Sequence, residues 1–293
     1  MRNRWTPAIV AVLACAALST GVGAQQRGGG EAAPARARVK DSFVFEGVPK
    51  MPQPPGPAPK QDLSGAWVGP LTNKPDPVPP MTPAGEKFFK TRKAYGVATN
   101  QGNPNGPIGG SNDPFITCDP LGFPRDLLAH AISSRGGTLF GSAPNRILIG
   151  YEQQRIWREI WMDGRKLPDK VDVPGGAESR YYGYSVGHWD NDNTLVIDTT
   201  GIDPRVWLDE AGHPISPNAH IQERYVRSDQ YNMRLTVTVD DPKYYTKPFT
   251  FMNSAFYWMK DQEFAETMCI PSEGLEYRDT LARPSGIDAD TGK

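Results

Sequence analysis

Between residues 146 and 240 the sequence alternates with a period of two. Gly, Asn, Asp and Pro break it into segments at 146–151, 154–162, 183–189, 194–200, 221–228 and 232–240. Strict alternation sends neighbouring side chains to opposite faces of an extended chain, which a helix cannot accommodate. Each segment is rich in β-branched or aromatic residues, as strands are. Residues 62–68, 249–258 and 264–268 read as further strands. Asp190-Asn191-Asp192-Asn193 reads as a hairpin turn, because Asn and Asp tolerate positive φ, and 227–232 makes another such connection.

One helix is expected near residues 83–92. Thr82 can cap it, Pro83 takes the first position and Glu86 falls in the first turn. Eight or nine strands with one short helix predict a mainly β fold. The expected form is a single antiparallel β-barrel or sandwich, lipocalin-like in architecture, over residues 61–280.

The N-terminus predicts export. Arg2 and Arg4 precede an apolar run from Ala8 to Val22, and Val22-Gly23-Ala24 sets small residues before Gln25. Residues 1–24 thus read as a signal peptide cleaved after Ala24, and the mature chain as periplasmic or secreted. Lipidation at Cys15 is a weaker alternative, because more apolar sequence follows it. The run is too short and too interrupted for a membrane span, and no later segment qualifies. Residues 25–60 read as a Pro/Gly/Ala-rich disordered linker, and 281–293 as a flexible tail.

Cleavage removes two of 32 basic residues and none of 33 acidic ones, leaving a formal charge near −3. Nothing in that balance suits nucleic acid. It also leaves two cysteines, Cys118 and Cys269, a natural disulfide pair in an oxidising compartment, with two buried thiols as the alternative. The histidines, at 130, 188, 213 and 220, show no ligand-type spacing. No metal and no cofactor is expected, and oligomeric state stays open.

Candidate site residues come from the strands and one loop. In the 154–165 segment, Trp157, Glu159, Trp161 and Asp163 share one face, while Ile156, Arg158, Ile160 and Met162 share the other. Both faces mix apolar and charged residues, as a barrel strand with a functional interior would. Tyr184 and His188 share a face of the next segment, and Asp198 lies across the following hairpin within reach of Tyr184. That makes a Tyr/His/Asp patch suited to acid–base work. In the loop 203–214, Trp207, Asp209 and His213 concentrate bulky and ionisable groups where a barrel mouth would be capped. The acid–base candidates are Asp163, Tyr184, His188, Asp198, Asp209 and Glu223. The ligand-binding candidates are Trp157, Trp161, Trp189, Trp207 and Arg125.

Several motifs recur together in one known group of proteins. They include Asp62-Leu-Ser-Gly-Ala-Trp67, Cys118-Asp-Pro-Leu-Gly-Phe-Pro-Arg125 and Trp157-Arg-Glu-Ile-Trp-Met-Asp-Gly-Arg165. Tyr182-Gly-Tyr-Ser-Val-Gly-His-Trp189, Trp207-Leu-Asp-Glu-Ala-Gly-His-Pro214 and Cys269-Ile-Pro-Ser-Glu273 complete the set. On these the chain resembles a large family of exported bacterial proteins abundant in soil bacteria and labelled hypothetical. The resemblance spans nearly all of the mature chain, and it implies the fold without implying an activity. Relatives commonly carry arginine where His188 stands, which argues against a shared histidine base there.

The leading expectation is a barrel binding a small apolar or aromatic ligand in its interior. The alternatives are a lyase, isomerase or hydrolase with a Tyr/His/carboxylate site, and an envelope interaction module.

Overall fold

The computed structural model describes residues 53–71, 75–94, 111–128, 137–152, 156–259, 264, 269–277 and 280. The expected signal segment, most of the expected linker, the expected tail and most of the expected 264–268 strand lie outside them.

Nine strands close into one barrel: β1 (Gly65–Val68), β2 (Gly137–Ala143), β3 (Arg146–Tyr151), β4 (Ile156–Trp161), β5 (Tyr184–Asn191), β6 (Thr194–Thr200), β7 (His220–Arg227), β8 (Asn232–Asp240) and β9 (Phe249–Trp258). Neighbours in sequence are neighbours in the sheet, and β9 returns to pair with β1 through Trp67↔Trp258. All junctions are antiparallel except one. There β4 and β5 run parallel, joined at Trp161↔Val186, because residues 162–183 carry the chain back along the seam. β2 is a strand that the alternation does not flag, since glycines 137 and 141 interrupt it.

The helix α1 (Pro83–Phe89) forms as expected and is capped by the Thr82 side chain, which accepts the Gly85 N–H at 3.2 Å. It stops at Lys90, short of Arg92. A second helix, α2 (Pro271–Tyr277), follows Cys269. Among the described residues no helix is long and apolar enough to cross a membrane.

The turns expected from Asn and Asp hold for the anticipated reason. Asn191 Oδ1 accepts the Asn193 N–H at 2.9 Å, and Asp229 accepts N–H groups of Tyr231 and Asn232.

Pairing fixes which face is inside. Inward-facing partners include Phe140↔Ile149↔Arg158, Ser185↔Thr199 and Ile197↔Glu223↔Val237↔Met252. At one end Trp67 fills the lumen and donates its indole N–H to Leu63 O at 2.8 Å. Arg227 lies over that indole and donates to the carbonyls of Asp62 and Gln230 at 2.7 and 2.8 Å. Here the Asp62–Trp67 motif finds its role. Gly65 sits at φ 113°, where a Cβ would press on the Trp258 indole.

The opposite end is the mouth. Connections β1–β2, β3–β4, β6–β7 and β8–β9 all emerge there. The long β1–β2 connection includes α1, a 3-10 turn (Pro114–Thr117) and residues 121–128. Within it Leu121, Phe123, Leu127 and Leu128 plug the lumen at 0–2 % exposure. Burying each such side chain stabilises the fold by about 1.5–3 kcal/mol.

Cys118 and Cys269 are bonded, with Cα atoms 5.3 Å apart and a sequence separation of 151. The bridge ties this plug-bearing connection to α2. In the loop-entropy model a closure of that length contributes about 5 kcal/mol.

Candidate functional site

The lumen holds a polar cluster wrapped in apolar side chains. Arg158 Nη2 lies 2.7 Å from Glu223 Oε2, and both side chains are essentially inaccessible. The same guanidinium donates to Ser185 Oγ at 2.9 Å and Thr199 Oγ1 at 2.6 Å, and it stacks 3.8 Å above the Phe123 ring. Tyr225 donates to Glu223 Oε1 at 2.9 Å. Burial alone would depress Arg158, but the Glu223 carboxylate beside it raises it and keeps the guanidinium charged. Burial holds the Tyr151 and Tyr225 phenols well above the ordinary tyrosine range, so neither ionises near neutral pH.

Ile149, Ile160, Ile197, Glu223, Tyr225 and Leu235 have 0 % exposure. A lumen wide enough for a ligand would expose its lining, so this one is filled with side chains, as narrow barrels are.

The outer wall takes several residues that the alternation grouped as a site. Trp157 is 56 % exposed and covers Gly150 of β3, its cross-strand partner. Trp161 is also on the outside, between the guanidinium groups of Arg146 and Arg165 at 4.0 and 3.4 Å. Asp163 is exposed and bound to Arg165 at 2.6 Å, which holds its carboxyl down at about 2. The expected interior face of this strand is therefore the exterior one. Arg158 and Ile160 point inward because they align with Ile149 and Ile147.

Tyr184, His188 and Asp198 also face outward. Asp198 pairs with Val186 in the register, and its carboxylate turns to β7 instead of Tyr184. It accepts from His220 Nε2 at 2.8 Å and Gln222 Nε2 at 3.0 Å. Tyr184 donates to Glu178 O at 2.8 Å, and His188 is exposed. The hydrogen bond lowers Asp198 and raises His220. Trp189 faces the lumen, half-buried near its closed end.

Three candidates do meet. Arg125, Trp207 and Asp209 come together at the mouth, where the β1–β2 and β6–β7 connections converge. Residues 207–214 form a tight loop pinned by Trp207↔Pro214 pairing and by Leu208 N–H to His213 O at 2.7 Å. Asp209 anchors it from within, accepting N–H groups of Ala211 and His213 and lying 2.6 Å from His213 Nδ1. The His213 imidazole stacks on Phe89 of α1 at 4.7 Å. Gly212, at φ 90°, lets Arg92 pass, since a Cβ there would sit 2.7 Å from Arg92 Cβ.

Tyr245 of the β8–β9 connection donates to Pro214 O at 2.7 Å. Asp241 there accepts from Ser216, so the third loop is tied to the second.

Beneath the rim, Arg125 donates to Asp113 at 2.8 Å with both side chains buried. The guanidinium groups of Arg92 and Arg125 each lie 5.2 Å from the Trp207 ring. Arg92, Glu210 and His213 are half-buried and form the rim. Burial pushes the Glu210 carboxyl up to about 7, aided by Asp113 and Asp209 and opposed by Arg125.

Sequence reasoning missed Arg92, Asp113 and Glu210. Only Asp113, as an Asp-Pro capping pair, had a local signal, and it pointed to a turn. Among the described residues no group of three or more His, Cys, Asp and Glu is arranged to hold a metal. No protein-family model matches the chain, and none of the curated proteins matches it either.

Proposed function

We propose that the protein is an exported barrel that binds a small, partly aromatic molecule at its capped mouth. One observation carries the reading: the lumen is filled with side chains, while the mouth gathers an indole, two guanidinium groups and a carboxylate-bound histidine at a half-buried rim. Ligand sites combine such aromatic surface with a few convergent polar groups. The apolar ligand expected from sequence thus belongs at the half-buried rim of Arg92, Glu210 and His213, above the buried Trp207, with the barrel as rigid scaffold.

Export is supported by the N-terminal signal layout and by the disulfide, which suits an oxidising compartment. The motif resemblance to exported bacterial proteins points the same way. Native mass spectrometry of the chain purified from its own compartment tests both points. A mature mass starting at Gln25 with a copurified small molecule, lost in Arg92→Met, is the expected result. A mass retaining residues 1–24 removes the export reading. A ligand that Arg92→Met still holds removes the site.

A second reading, an acid–base enzyme, is favoured by the Asp209–His213 contact. A carboxylate on Nδ1 fixes the tautomer that leaves Nε2 as acceptor, and Glu210, protonated up to about pH 7, is placed to act as an acid. Turnover lost in His213→Gln and retained in Glu159→Gln would favour it over plain binding.

A further inference from the structure

The cap contains more hydrogen-bond donors than acceptors. Arg125 gives one nitrogen to Asp113, and its Nε and Nη1 are buried without a partner. Arg92 Nε and the Trp207 indole Nε1 are in the same state. Four buried donors thus meet at one indole, one its own N–H and three on two guanidinium groups that repel each other, and Arg92 is lowered by burial and by Arg125. Buried polar groups in folded proteins are almost always satisfied, so a cluster of orphans of one kind points to what is absent.

A cation is excluded by the two guanidinium groups. A neutral carbonyl offers one oxygen, whereas a carboxylate, sulfate or phosphate offers two or more and matches the guanidinium fork. The internal carboxylates are already engaged, Asp113 by the Phe115 N–H and one Arg125 nitrogen, and Asp209 by the Ala211 and His213 N–H groups and the imidazole.

We infer that the mouth recognises its ligand by an anionic group, a carboxylate or an oxyanion of sulfur or phosphorus, held by Arg92 and Arg125 against Trp207. The inference rests on the mouth being the ligand site, and it names the ligand's charge.

The test is calorimetry of the full mature chain with benzoate, inorganic sulfate, inorganic phosphate and, as neutral control, benzyl alcohol. Benzoate or an inorganic anion should bind more tightly than benzyl alcohol. Arg92→Met should weaken the anion by about tenfold or more, the loss of one charge-assisted contact. Arg92 stands on the rim, so the variant keeps the barrel. Arg125→Lys keeps a charge beside Asp113 while losing the fork, and should weaken carboxylate more than benzyl alcohol.

Carboxylate preferred over the inorganic ions identifies an organic acid, and the reverse identifies a sulfate or phosphate group. Benzyl alcohol binding as well as benzoate overturns the anion inference and leaves the mouth site standing. No binding by any probe overturns both.

Discussion

Replacing Arg158 with methionine probes the lumen most sharply. The substitution keeps volume and removes a guanidinium whose side chain is 1 % exposed and pairs with a carboxylate at 0 %. Contacts to Glu223, Ser185 and Thr199 and the stacking on Phe123 go with it. Glu223 is left with the Tyr225 hydroxyl as its donor among the described contacts. Breaking a buried pair on one side costs about 3–5 kcal/mol. In a domain of this size each kcal/mol moves Tm by about 2–4 °C, so the drop should be roughly 6–20 °C.

The abandoned carboxylate is left buried without its counter-charge. Urea melts of wild type and variant measure the cost. The double variant Arg158→Met/Glu223→Leu removes both charges and should return to within about 1 kcal/mol of wild type. A loss of under about 1 kcal/mol in Arg158→Met would refute a buried charged pair in the lumen.

The disulfide should matter to the whole fold. Cys118→Ser with Cys269→Ser should cost about 2–5 kcal/mol in a chemical melt under non-reducing conditions, and equal stability would mean that the bridge closes no loop that matters. Glu210 should make stability decline with pH. Its folded value of about 7 exceeds the unfolded 4.5, so the folded state holds the extra proton between them and loses stability as pH rises through that window. Discounted for its half exposure, the effect is about 2 kcal/mol, and Glu210→Gln should abolish it in melts at pH 5 and pH 8. Asp198 and His220 should stabilise each other by under about 1 kcal/mol, since both are partly exposed. Asp198 is depressed and His220 raised, so the pair holds between their titrations and is lost as pH leaves that window on either side. In Asp198→Asn the His220 pKa, read by NMR, should fall back towards 6.5.

Much of the barrel is legible in the sequence because half-buried strands must alternate. The segments for β3 to β9, the Asn/Asp turns and the Thr82 cap follow from that pattern and from turn chemistry. β4 shows where the pattern stops. Trp157 and Arg158 sit on opposite faces of a strand that mixes charge and aromatics on both, and composition favours the tryptophan inside. Pairing with Ile149 puts Arg158 inside instead, and a buried arginine is stable there because Glu223, 65 positions away, supplies its counter-charge. No local pattern encodes that distance.

The cap is hidden for the same reason. Arg92 follows a helix, Asp113 begins a 3-10 turn, Arg125 ends a Pro-rich motif and Glu210 lies in a turn. They meet because closing the barrel brings alternate connections to one end, which is a property of topology. Trp207 and Asp209 stand out in the sequence as bulky and ionisable loop residues and Arg125 as a ligand-binding candidate, but their shared location is not legible there.

The central claim is that ligand binds at the mouth and leaves the lumen untouched. Nitrogen-15 NMR of the mature chain titrated with benzoate tests it most directly, because the Trp207 indole N–H and the Arg92 and Arg125 side chains report the mouth, and the Arg158 side chain reports the lumen. Saturable shifts at Trp207, Arg92, Arg125 and the Glu210 amide, with Arg158 unmoved, are the predicted result. Shifts centred on Arg158 and Tyr225, or on His188 and His220 of the outer wall, would contradict the account.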